Sequence, residues 1–157
     1  MTELAGRLRP VGRVAILVSR YNELVTTRLL DGARAACRDA GIAEADVEVL
    51  WAPGAFELPA VAAAAAELRR YACIVALGAV IRGETPHFEF VAGEAARGLN
   101  EVGIRHAVPV AFGVLTVDTL AQATERAGGA AGNKGREAAE AAIAAADLLA
   151  QLRALDA

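Results

Sequence analysis

The sequence predicts a three-layer α/β fold, in which a doubly wound parallel sheet carries helices on both faces. Three observations lead there. Four short runs are predominantly apolar, with Glu48 the one charged residue among them, as strands covered on both faces tend to be. Each run is followed by a stretch with helical length and helical stop signals. No linker, charge block or internal repeat divides the 157 residues, which suit one domain over residues 1–157.

The elements follow in order. Val14–Val18 reads as the first strand, and a helix from about Glu23 to Ala40 ends at Gly41, a common stop. Val47–Trp51 is the second strand. A helix from Phe56 to Arg70 then opens near Pro59, tolerated there because a first-turn N–H has no helical partner. Ala72–Ile81 is the third strand, and a helix from about Pro86 to Val102 is closed by Gly103. Ala107–Leu115 is the fourth, with Pro109 placing its start at the margin of the sheet. Asp118 or Thr119 caps a short helix to Ala127, Gly128–Gly132 interrupts it, and Asn133 caps a last helix to about Leu152. The expectation is about four core strands and about five helices.

Composition removes several function classes. Hydrophobic residues make up 55% and aromatics only 4%, so much of the apolar content is alanine, which builds helices and packs closely. The longest apolar stretches, such as Ala60–Ala66 and Cys73–Ile81, fall well short of the roughly 18 to 20 residues of a membrane span. The first residues lack the apolar core of a secretory signal, which leads to the expectation of a cytoplasmic protein. Sixteen basic against 19 acidic residues give a net charge of −3, with no basic stripe for nucleic acid. Cys37 and Cys73 form no CxxC and have no neighbouring His, so they read as free thiols rather than metal ligands. The Ala-rich Glu137–Ala150 segment offers small apolar surface suited to subunit packing.

Ligands of open parallel sheets bind beyond the carboxyl ends of the strands. The unusual residues fall there: Ser19-Arg-Tyr-Asn22, Ala52-Pro-Gly-Ala-Phe-Glu57, Arg82-Gly-Glu-Thr-Pro-His87 and Phe112-Gly-Val-Leu-Thr116. In the third cluster Gly83, Glu84 and Thr85 lead into a helix whose free amides and dipole suit a phosphate. His87 is able to exchange protons near neutral pH; capping or packing is an equally open reading for it. Glu57 is a candidate ligand group or merely an acidic residue at a helix start, and Pro53-Gly54 a site loop or a plain turn. Tyr21 and Asn22 suit a flat polar ring or simple loop packing. His106 lies away from these clusters and reads as a surface residue. The run Gly128–Gly135 is no P-loop: Asn133 precedes Lys134, Gly135 replaces the Ser/Thr, and no strand comes before it.

Taken in order, the clusters resemble the lumazine synthase family from about Val14 to Ala146. The matching segments are Ser19-Arg-Tyr-Asn22, Pro53-Gly-Ala-Phe-Glu-Leu-Pro59, Gly78-Ala-Val-Ile-Arg-Gly83 with His87, and Phe112-Gly-Val-Leu-Thr116. Gln122-Ala, Glu125-Arg-Ala-Gly128 and Gly132-Asn-Lys-Gly-Arg-Glu-Ala-Ala139 follow. The resemblance implies a flavodoxin-like sandwich that condenses 5-amino-6-(D-ribitylamino)uracil with 3,4-dihydroxy-2-butanone 4-phosphate, without metal or organic cofactor. It implies that Tyr21 stacks on the pyrimidine and Asn22 holds its polar edge. Gly54, Ala55, Phe56 and Glu57 are implied to bind ring and ribityl chain, with backbone contacts from Val80 and Ile81. Gly83, Glu84 and Thr85 are implied to line a phosphate site paired with Arg126, His87 to be the general acid/base, and Phe112, Lys134 and Glu137 to complete the site.

By the same resemblance each site is shared between neighbouring subunits of a homo-oligomer. A pentamer is the expected assembly, with a decamer or a 60-subunit shell as larger alternatives and riboflavin synthase as a further partner. Residues 1–12, through Leu8–Val11, are implied to pair with a neighbouring subunit's sheet. Two positions depart from the family pattern. Tyr21 stands where Phe or Trp is commoner, and Ala130-Ala131 stands where shell-forming members usually carry a lysine. The competing readings are an archaeal-type riboflavin synthase and a non-catalytic flavin- or lumazine-binding paralogue. A receiver domain is disfavoured, because Ser19-Arg20 occupies the place of its acidic pair.

Overall fold

The computed structural model describes residues 1–156. Four parallel strands, β1 (Val14–Ser19), β2 (Val47–Ala52), β3 (Cys73–Ile81) and β4 (Val110–Val117), form a sheet in the order β2-β1-β3-β4. Helices α1 (Glu23–Asp39), α2 (Leu58–Glu67), α3 (His87–His106), α4 (Leu120–Glu125) and α5 (Lys134–Ala154) connect or follow them. The predicted three-layer fold is therefore the observed one.

Alternation along the strands divides the core into two layers. Val14, Ile16 and Val18 of β1, with Val75 and Leu77 of β3, pack against α1 and α5. Ala15 and Leu17, with Ile74 and Ala76, face α2 and α3. Every residue of β1 is buried, which explains its unbroken apolar sequence. Each large side chain buried there, such as Ile16 or Leu17, contributes about 1.5–3 kcal/mol. Cys37 and Cys73 lie free in the first layer, where burial pushes the Cys73 thiol up to about 12. Both are inert core thiols in this setting.

Several boundaries differ from the expected ones. Helix α3 runs through Gly103 to His106 and stops at Ala107, whose left-handed backbone (φ 50°) brings the Val108 N–H onto the Gly103 carbonyl. Pro109 then bars any continuation, so β4 starts at Val110 rather than Ala107. Helix α2 is shorter than the Phe56–Arg70 reading. Ala55–Glu57 forms a single 3-10 turn before it, and Arg69 adopts φ 52° just beyond its end. Residues 127–133 are more than a break: Ala127–Gly129 (β5) and Gly132–Asn133 (β6) form a small antiparallel hairpin.

The expected caps are present. Thr119 and Gln122 form a reciprocal capping box on α4, and the Asn133 side chain accepts from the Arg136 N–H at 3.0 Å. Gly41 ends the turn after α1 with φ +82°, a conformation that costs other residues strain.

The first twelve residues form no helix or strand. They lie along α5 of the same chain, where the Arg7 N–H donates to Asp147 at 2.9 Å and Gln151 bridges Asp147 and the Ala5 carbonyl. A side chain at Gly6 would collide with the Ala144 carbonyl oxygen, so the segment sits directly on the helix backbone.

Candidate active site

The carboxyl ends of β1, β2 and β3 open into one cleft of about 610 Å³. Its first wall is the turn after β1. The Arg20 N–H donates to Ala52 O at 2.8 Å and the Tyr21 N–H to Pro53 O at 3.1 Å, so the turn is fixed to the exit of β2. Thr26, wholly buried, donates its hydroxyl to Ser19 O at 2.7 Å and closes the turn from beneath. These bonds leave the Tyr21 ring projecting, 73% exposed, at the cleft wall.

Asn22 sits at the start of α1 with left-handed backbone (φ 62°), a conformation that asparagine tolerates better than most residues. Its side-chain amide donates to Ala79 O of β3 at 2.8 Å. Asn22 is thus not among the residues that line the cleft. It ties the first wall to the third strand.

The second wall is Gly54–Glu57. Gly54 is extended, and the 3-10 turn at Ala55–Glu57 lifts Phe56 to 57% exposure. A Cβ at Gly54 would stand 3.3 Å from a Glu57 carboxylate oxygen, so that carboxylate curls back over the glycine. Val80 and Ile81 at the end of β3 form the floor, beside Gly83, Thr85 and His87. Gly83 has open space where a side chain would project. Helix α3 begins at His87, so the start of the helix and its positive dipole end follow directly on Gly83–Thr85, although the Glu89 N–H already donates to Pro86 O at 3.1 Å. His87 is exposed and lines the cleft, whereas Glu84, also exposed, is not part of its lining. Phe88, Phe90 and Val91 also line the cleft and were not among the expected site residues. The paired aromatics of His87-Phe-Glu-Phe90 were the available signal.

The remaining expected residues lie elsewhere on the chain. Phe112 is on the free edge of β4 and is 44% exposed. Together with Arg126, Lys134 and Glu137 it lines a separate furrow of about 470 Å³ along β4 and α5. Lys134 pairs with Glu137 at 3.1 Å, and its backbone N–H donates to Arg126 O at 2.8 Å, which joins the two main-chain segments that border the furrow. Arg126 donates to Gln122 O at 3.0 Å and lies 3.7 Å from Glu125.

One chain therefore places the expected site residues in two separate hollows. The cleft carries aromatic faces, backbone amides, a carboxylate and a histidine; the furrow carries an aromatic ring, two cations and the Glu137 carboxylate paired with Lys134. Phe88 borders both the cleft and a neighbouring hollow that Phe112 and Arg126 also line. The cleft suits a flat, polar, aromatic ligand, and the furrow suits an anion.

Among the described residues, no helix is long and apolar enough to cross a membrane, and no group of three or more His, Cys, Asp or Glu is placed to hold a metal ion. A family model described as 6,7-dimethyl-8-ribityllumazine synthase matches residues 12–150. That match spans all four sheet strands, the cleft and the furrow, and nearly the whole chain. The protein belongs to the 6,7-dimethyl-8-ribityllumazine synthase family, which serves riboflavin biosynthesis.

Proposed function

We propose that the protein condenses 5-amino-6-(D-ribitylamino)uracil with 3,4-dihydroxy-2-butanone 4-phosphate to give 6,7-dimethyl-8-ribityllumazine, phosphate and water. The observation that carries this reading is the cleft itself. Exposed aromatic rings, the Glu57 carboxylate and His87 surround one space next to a helix start, in a chain of this family.

In this reading Tyr21 and Phe56 flank the pyrimidine ring, and Gly54, Ala55, Val80 and Ile81 offer backbone groups to its edges. Glu57 accepts from a ribityl hydroxyl. Asn22 acts mainly by holding the Tyr21 wall to β3 through Ala79. The phosphate sits at Gly83, Glu84 and Thr85, where backbone amides and the α3 dipole favour an anion. The pyrimidine amine attacks the ketone and loses water to form an imine, phosphate departs by elimination, and the ribityl-bearing nitrogen attacks the remaining carbonyl and closes the second ring with loss of a second water. His87 moves protons in these steps. Holding two substrates in register supplies much of the acceleration, so a site of few catalytic and many positioning groups is sufficient. No cofactor takes part.

The furrow completes the site from a second copy. Phe112, Arg126, Lys134 and Glu137 of one chain close the cleft of the next, with Arg126 meeting the departing phosphate. The separation of the two half-sites on one chain supports this arrangement, as does the free edge of β4. A cyclic homo-oligomer, a pentamer in its simplest form, satisfies every cleft. The protein works in the cytoplasm, with riboflavin synthase as the consumer of its product.

Formation of the fluorescent lumazine from the two substrates tests the reading. Wild type should accelerate it well above buffer. No acceleration would favour a ligand-binding paralogue. Consumption of lumazine supplied alone would instead favour a riboflavin synthase.

A further inference from the structure

Arg82 occupies the lip between the cleft and the hollow beyond it. Its backbone N–H donates to Val117 O at 2.8 Å, extending the β3–β4 pairing by one residue. Its guanidinium donates to Asp118, just past β4, at 2.9 Å and also pairs with Glu89 in the first turn of α3. The same group lies over the Phe88 ring, 4.3 Å from its centroid. One cation thus spans three elements that meet at the mouth, and both carboxylates answer to it. The Arg82 guanidinium, with help from the residue's own N–H, holds the Glu89 carboxyl below its ordinary range.

The charges matter because of what lies next to them. Gly83–Thr85 and the start of α3 form the anion-friendly part of the cleft, yet Glu89 lies in that first helical turn and Asp118 reaches Arg82, the residue before Gly83, from the neighbouring hollow. Two uncompensated carboxylates would oppose a dianion and cancel much of the helix-start field. A single arginine can answer both, because its planar fork donates in two directions at once.

We propose that Arg82 is a positioning residue for the phosphate-bearing substrate, neutralising Glu89 and Asp118 so that the Gly83–Thr85 loop accepts a dianion. This rests on the reaction proposed above. Arg82 need not touch the phosphate; it removes the repulsion that would keep the phosphate away.

The test compares wild type, Arg82→Ala and the triple variant Arg82→Ala, Glu89→Gln, Asp118→Asn. Two readouts are taken: KM and kcat for each substrate, and the affinity for inorganic phosphate by calorimetry. Arg82→Ala should raise KM for the phosphate-bearing substrate about tenfold and weaken inorganic phosphate equally, with KM for the pyrimidine little changed. The triple variant should recover most of both losses. An unchanged KM and phosphate affinity in Arg82→Ala would overturn the proposal. So would a loss that the triple variant fails to repair, since Arg82 would then act by direct contact. Wild type that binds phosphate but makes no lumazine would overturn the proposed reaction, while the phosphate affinities would still decide the role of Arg82.

Discussion

The side-chain amide of Asn22 reaches across to the carbonyl oxygen of Ala79, 57 positions later, and joins the turn after β1 to the last part of β3. Asn22 does this from a left-handed backbone, so conformation and hydrogen bond are both at stake. Asn22→Gly keeps the conformation and loses the bond, at a cost of about 1 kcal/mol. Asn22→Ala loses both and should cost about 2 kcal/mol or more. Urea unfolding of the two variants checks the order. Equal losses would mean that the left-handed backbone carries no strain.

His87 begins α3 and is exposed to the cleft. His87→Ala should slow lumazine formation about 10²-fold, the lower end of general acid–base contributions, with far-UV circular dichroism unchanged. Product formed as fast by the variant as by wild type would leave positioning as the whole of catalysis.

The split between cleft and furrow permits a complementation experiment. His87→Ala and Arg126→Ala copies should each be poorly active. Unfolded and reassembled together in equal amounts, they should regain about a quarter of wild-type activity, since some clefts then receive two intact halves. No gain on mixing would place both residues in one chain's own site.

Ala107 ends α3 with φ 50°, and its carbonyl accepts from the Arg153 guanidinium at 2.9 Å. A residue with a Cβ is strained there, whereas glycine is not. Ala107→Gly should therefore stabilise the protein by about 0.5–1 kcal/mol, despite the added freedom of the unfolded chain. Thermal unfolding at matched protein concentration should show a higher midpoint. A lower one would mean that Arg153 already offsets the strain.

Asp147 holds residues 5–9 through the Arg7 N–H, through Gln151, which also donates to Ala5 O, and through Arg9 at 3.5 Å. The Arg7 N–H first, then the Gln151 amide and the nearby arginines, keep its carboxyl below the ordinary range. Because the folded value is depressed, the clasp is at full strength above the unfolded value of about 3.9. It weakens as pH falls through the lower folded value. Hydrogen-exchange protection of the Arg7 N–H should hold from neutral pH to about 4 and then decline. In Asp147→Asn, protection should be low throughout and nearly independent of pH. A decline shared equally by wild type and variant would assign the acid sensitivity to another group, such as Glu48, whose carboxyl is lowered chiefly by the Tyr71 hydroxyl.

Local chemistry decided much of this molecule. Unbroken apolar runs made Val14–Val18 and Cys73–Ile81 buried strands, because only a strand covered on both faces tolerates such a run. Thr119 and Asn133 announced their helix starts through their own side chains. Four clusters read as one rim, since a parallel sheet brings its carboxyl ends together; those after β1, β2 and β3 do form one cleft, whereas Phe112–Thr116 lies within β4 and outside it. Other features needed distant partners. Gly103 reads as a helix stop, yet α3 passes through it and ends where Pro109 and the Val108–Gly103 bond allow. The clasp of residues 5–9 depends on Asp147, some 140 positions away. Phe112, Arg126, Lys134 and Glu137 follow the cleft residues in the sequence but stand on the far side of β4, because β4 took the edge of the sheet. Strand order is set by which layers the helices cover, a long-range packing outcome that local propensity does not encode.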